Sequence, residues 1–134
     1  MKIIITSDIH IDKYTKYNKY PGYRDEQFIK FAKRLVEEGK NQDSKILFIA
    51  GDIIDKPVSK PEVLHLLKEF LNILSSYFDK IYYILGNHDC NKKNNLDFDL
   101  STYITLFDDD KFIYMNDKNL VLNNRKIYFL DYKF

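Results

Sequence analysis

Apolar positions along the chain fall into three short aliphatic runs and two longer segments in which they recur every three or four residues. The runs are Lys2 to Thr6, Lys45 to Ala50 and Ile81 to Leu85, and each reads as a buried strand. Between Arg24 and Glu38 the residues Phe28, Ile29, Phe31, Ala32, Leu35 and Val36 keep helical spacing, and Gly39 reads as the stop. Pro61, tolerated in the first turn of a helix, opens the second such segment. Its apolar face is Val63, Leu64, Leu66, Leu67, Phe70, Leu71 and Leu74. The order β-α-β-α-β predicts an α/β fold, a parallel sheet flanked by helices.

Beyond the third strand the pattern shortens. Asn91 to Asn95 is a polar loop, and Leu100 to Phe107 reads as a short helix. Phe112 to Met115, Leu120 to Leu122 and Ile127 to Leu130 read as short strands. The last two form a hairpin across Asn123-Asn124, because asparagine tolerates positive φ. No repeat or linker divides the 134 residues, so one domain, 1–134, is expected.

Each of the first three strands runs into a polar cluster: Ser7-Asp8-Ile9-His10, then Gly51-Asp52-Ile53-Ile54-Asp55, then Gly86-Asn87-His88-Asp89. Ligands of open α/β sheets bind outside the carboxyl ends of the strands, so the three clusters converge on one crevice. Carboxylate, imidazole and amide donors suit a divalent metal, manganese above all, with iron or zinc as alternatives. Asp8 and His10, two apart on an extended segment, face the same side. Gly51 and Gly86 let the backbone turn tightly and bring Asp52 and Asn87 close. Any one cluster alone is as easily a turn or a helix cap. All three in this order, each just after a strand, argue for a site.

Charge adds little: 21 Lys and Arg stand against 20 Asp and Glu. Such balance argues against a polybasic coat that binds nucleic acid by charge alone. One cysteine, Cys90, excludes an internal disulfide framework. No apolar run approaches the roughly 18 residues of a membrane span, and Met1 to Asp8 does not read as a secretory signal. A cytoplasmic protein without membrane contact is the expectation.

The three clusters together resemble the calcineurin-like metallophosphoesterases, and within them are most similar to the Mre11/SbcD-type DNA-repair nucleases. Arg24-Asp25 heading the first helix and the stretch Phe48 to Asp55 carry the narrower likeness. The resemblance implies the N-terminal part of a four-layer α/β/β/α sandwich. It implies that Asp8, His10 and Asp52 hold a first metal, with Asp52 bridging to a second held by Asn87. His88 would act at the leaving oxygen, oriented by Asp89, and Asp55 would brace its loop. The substrates implied are phosphoesters, DNA among them.

Relatives add three further histidines from later strands, an isolated one and a Gly-His-x-His. Here the only others are His65, within the second helix, and none beyond His88. At most one tightly held ion is therefore expected, with Asp89, Cys90, Asp97, Asp99 or Asp131 open as substitutes. Half a sandwich also exposes apolar sheet, so a second copy or a second polypeptide is expected to complete the site. Finally, Tyr14, Tyr17, Tyr20 and Tyr23 alternate with Lys13, Lys16, Lys19 and Arg24. Tyr14, Lys16, Tyr17 and Arg24 are candidate substrate contacts that would stack and pair with single-stranded nucleic acid. A loop pinned by amphipathic rings is the simpler and favoured reading. Against the enzymatic reading stands a non-catalytic module that binds one metal or nucleic acid.

Overall fold

Strand and helix alternate so that each strand adds beside the one before it. A computed structural model describes residues 1–13, 16, 18–57, 60–90, 99–107 and 109–132. Strands β1 (Ile4–Thr6), β2 (Ile46–Ala50), β3 (Lys80–Ile84) and β4 (Phe112–Tyr114) form one parallel sheet in that spatial order. The crossovers carry α1 (Tyr23–Gln42), α2 (Pro61–Ser75) and α3 (Leu100–Leu106). Right-handed crossovers repeated in one direction place every helix on the same face of a sheet. The side chains record this outcome. Leu47, Ile49, Ile81 and Tyr83 pack with Ala32 and Leu35 of α1, Leu67 and Phe70 of α2, and Tyr103 and Ile104 of α3.

The opposite face is covered differently. Ile5, Phe48, Tyr82 and Ile113 lie opposite one another along the register. Over Phe48 and Tyr82 sits an antiparallel hairpin of β5 (Asn119–Leu122) and β6 (Arg125–Tyr128), with Leu120, Leu122, Ile127 and the following Phe129 turned inward. Ile5, on the edge strand, stays 66% exposed.

The predicted βαβαβ core is present, and the later segment Phe112–Tyr114 extends the parallel sheet by a fourth strand. Asn123 and Asn124 both hold positive φ (48° and 61°), the two-residue turn that matches strand twist. So tight a turn pairs Leu122 with Arg125, and β6 spans Arg125–Tyr128 rather than Ile127 to Leu130. A helix boundary is corrected as well: α1 runs through Gly39 to Gln42 and ends at Asp43, which takes the left-handed conformation (φ 51°). The amide N–H of Ser44 then donates to the Gly39 carbonyl at 2.8 Å. Gly39 serves packing instead. A Cβ there would lie 2.7 Å from the Tyr77 ring and 2.9 Å from the Phe78 ring. The polar loop Asn91 to Asn95 lies outside the described residues. Among the described residues, no helix is long and apolar enough to cross a membrane.

Candidate metal centre

Past the ends of β1 and β2 the two loops run side by side, joined by backbone hydrogen bonds. Asp8 N–H donates to the Gly51 carbonyl (3.1 Å), His10 N–H to Asp52 (3.0 Å) and Ile11 N–H to Ile53 (2.9 Å). Ile9, Ile11, Ile53 and Ile54 point into the core, at 9% exposure or less. The polar residues between them are thereby turned outward. Asp8, His10 and Asp52 each hold a left-handed backbone, with φ of 54°, 53° and 53°. This corrects the extended geometry expected for Asp8 and His10. They share a side because two left-handed residues flank a buried isoleucine.

The outcome is a cluster. One atom each of Asp8, His10 and Asp52 lies within 4.8 Å of the others. His10 Nε2 is 3.7 Å from Asp8 Oδ1 and 3.8 Å from Asp52 Oδ2. Its other nitrogen, Nδ1, lies 3.3 Å from Asp55 Oδ1. The Asp8 side chain is 68% exposed and that of Asp52 13%, so the cluster opens at the Asp8 side.

The third loop is clamped onto the second. The His88 amide donates to Asp52 Oδ1 at 3.0 Å. Asp89, fully buried, accepts from the Ile54 amide (3.1 Å) and the Gly86 amide (2.9 Å). Burial pushes its carboxyl up to about 6 against the lowering effect of these bonds. Gly51 takes φ 87°, and a Cβ at Gly86 would fall 2.0 Å from Asp52 Oδ1, so both glycines are required by close approach. Asn87, exposed, opens the 3-10 turn Asn87–Asp89.

His88 stacks edge-on against His10, with centroids 4.6 Å apart. Its Nδ1 lies 2.7 Å from the Asp55 carbonyl oxygen and 3.8 Å from Asp55 Oδ1. The carbonyl acceptor, aided by nearby carboxylates, raises the imidazole pKa. The expected orientation of His88 by Asp89 is corrected here. Asp89 spends its oxygens on backbone amides of two loops, and Asp55 holds the ring. Sequence spacing placed Asp55 near the site without showing that its carboxylate meets His10 and its carbonyl meets His88.

The remaining candidates scatter. Asp99 caps α3 by accepting from the Ser101 amide (2.8 Å). Asp131 accepts from the Leu85 amide (3.1 Å) and from the Tyr114 hydroxyl. Cys90 packs against the core, and His65 is exposed on α2. Asp97, Tyr14 and Tyr17 lie outside the described residues. Lys16 is exposed, whereas Arg24 lines a cleft that also reaches Asp8. Lys19 sits over the Tyr23 ring (5.3 Å), and Tyr20 meets Tyr23 edge-on and donates to Glu26 (2.6 Å). This described part of the tyrosine segment is thus pinned to the head of α1.

Two carboxylates and an imidazole around one point fit a single divalent ion with positions left for water and substrate. Compared with known proteins, residues 1–133 match the calcineurin-like phosphoesterase family. No individual protein of curated function matches the chain.

Proposed function

Because the chain belongs to the calcineurin-like phosphoesterase family, whose members are metal-dependent hydrolases of phosphoester bonds, we propose that it is a phosphodiesterase, a DNA nuclease of the Mre11/SbcD type, that works with manganese in the cytoplasm. The observation that supports this most is the meeting of Asp8, His10 and Asp52 within 4.8 Å, with the His88 ring against His10. The exposed Asp8 side chain leaves the cluster accessible from that side.

When bound, a divalent ion supplies Lewis acidity and eases the deprotonation of water. Asp8, His10 and Asp52 would hold it. The Asp55 carbonyl accepts a hydrogen bond from His88 Nδ1–H, which leaves Nε2 to deliver a proton to the leaving oxygen. The Asp55 carbonyl and the nearby carboxylates shift the His88 pKa upward, which favours the protonated ring. Asp89 holds the loops that carry Asp52 and His88 in register. One ion is held tightly, since the other candidate group of the described residues, His10, Asp55 and His88, shares His10 with the first, and His65 is exposed on α2. A second copy or a second polypeptide completes the site.

Calorimetry with manganese, together with cleavage of bis(p-nitrophenyl) phosphate and a single-stranded oligonucleotide, tests the reading. One ion per chain and turnover that falls at least ~100-fold in Asp52→Asn and His88→Ala are expected. The one-ion donor set also favours a second reading, a module that binds metal without catalysis. One bound ion with no turnover by the chain or its assemblies would establish that alternative, and two tightly held ions would refute the proposed stoichiometry.

A further inference from the structure

We propose that the cleft between the end of β1 and the first turns of α1 is a subsite for a second phosphate of the substrate, adjacent to the phosphate that is cut. The inference rests on the phosphodiesterase reading above and narrows it to diesters that carry a neighbouring phosphate, as an oligonucleotide does. The cleft has a volume of about 280 Å³ and is lined by Ser7, Asp8, Arg24, Gln27, Phe28 and Phe31 among others. That is near the lower end for small-ligand sites. It shares Asp8 with the metal cluster, so a substrate seated there extends naturally into it.

Arg24 gives the cleft its chemistry. Its Nε is buried and has no hydrogen-bond acceptor among the described residues. A buried donor without a partner is destabilising, and an incoming acceptor would relieve it. The acids nearest in sequence are already engaged. Asp25 pairs with Lys13, and Glu26 accepts from the Tyr20 hydroxyl. Asp8 is the one acid in the lining and is directed toward His10. With a divalent cation against Asp8, Arg24 is the one basic side chain in the lining of the cleft, and its planar fork matches the oxygens of a phosphate. Gln27 adds neutral polar atoms. Ser7 donates its hydroxyl proton to Asp8 Oδ2 (2.6 Å) and keeps an oxygen that accepts. Phe28 and Phe31 form an apolar wall against which the sugar or base between the two phosphates can lie.

Two dinucleotides that differ only in the second phosphate, TpT and pTpT, provide the test, with manganese present throughout. The wild type is expected to favour pTpT at least tenfold in kcat/KM. Arg24→Ala should reduce that preference to within about twofold, and Arg24→Lys, which keeps the charge but loses the fork, should retain part of it. Cleavage of TpT without preference for pTpT, or a preference that survives in Arg24→Ala, overturns the subsite and leaves the phosphodiesterase reading standing. Calorimetric binding of thymidine 3′,5′-bisphosphate gives an answer independent of turnover. Binding weakened at least tenfold in Arg24→Ala upholds the subsite even if neither dinucleotide is cleaved. Equal binding to wild type and Arg24→Ala, or inorganic phosphate bound as tightly as the bisphosphate, overturns it.

Discussion

Asp8, His10 and Asp52 share a backbone conformation that costs most L-residues on the order of 1–2 kcal/mol. Aspartate tolerates it better than most, and residues held this way tend to gather where function requires them. Here the cost is met by the isoleucines between them and by the ladder of hydrogen bonds that joins the loops. The third loop closes over this arrangement through the space left at Gly86. Gly86→Ala would drive a methyl group into the Asp52 carboxylate and its backbone. It should destabilise the protein by about 3 kcal/mol or more, through overpacking and loss of the Asp52 contact to His88, as read by urea denaturation. Any folded fraction should bind manganese at least tenfold more weakly. Ionisation at Tyr83 and Tyr114 acts at the same scale. Burial raises both hydroxyl pKa values, and for Tyr114 the bond to Asp131 adds to it. The folded chain then keeps protons that the unfolded chain releases near pH 10. Stability from these groups is present below that pH and lost above it. Denaturation midpoints followed from pH 8 to 11 should fall above about 10, and Tyr114→Phe should lessen the fall.

At the scale of elements, α1 shows how packing overrules propensity. Glycine inside a helix is about 1 kcal/mol worse than alanine, so intrinsic preference alone expects Gly39→Ala to stabilise. The rings of Tyr77 and Phe78, 2.7–2.9 Å from the added Cβ, reverse the sign, and a loss of about 1–3 kcal/mol is expected. Asp43→Gly, at the left-handed residue that ends the helix, should instead gain about 0.5–1 kcal/mol. Thermal melts of the two variants shifted in opposite directions would confirm both assignments. The contrast also marks how far the sequence could be read. Aliphatic runs ending in Ser-Asp, Gly-Asp and Gly-Asn declared both the parallel strands and the loops at their ends, because strand burial and strand-end chemistry each leave a local pattern. A glycine that stops a helix and one that admits a neighbouring ring look identical in a sequence. Likewise the division of labour between Asp55 and Asp89 depends on which loop each carboxylate meets, and contacts between residues 33 and 35 positions apart leave no local pattern.

For the whole molecule, sequential strand order has a structural consequence: the three helices of the described residues gather on one face, and two cores form that share only the sheet. The helix-side core carries α1, α2 and the isoleucines beneath the metal loops. The other is smaller, with Phe48, Tyr82, Met115 and Phe129 buried and the hairpin as its cover. A two-stranded hairpin is marginal alone, so its order depends on that patch. Local stability should therefore be graded, with β2 and β3 amides slowest to exchange with solvent and β5–β6 amides faster. Phe129→Ala tests this separation. Loss of a large buried ring costs about 3–5 kcal/mol where it is felt. If the cores act separately, hydrogen exchange should speed up in β5 and β6 while α1 and α2 keep their protection. Manganese affinity at Asp8, His10 and Asp52 should then change less than about threefold, because none of the isoleucines under those residues touches the hairpin core. Uniform acceleration of exchange through both helices would instead show one cooperative unit, in which the sheet transmits the loss from one face to the other.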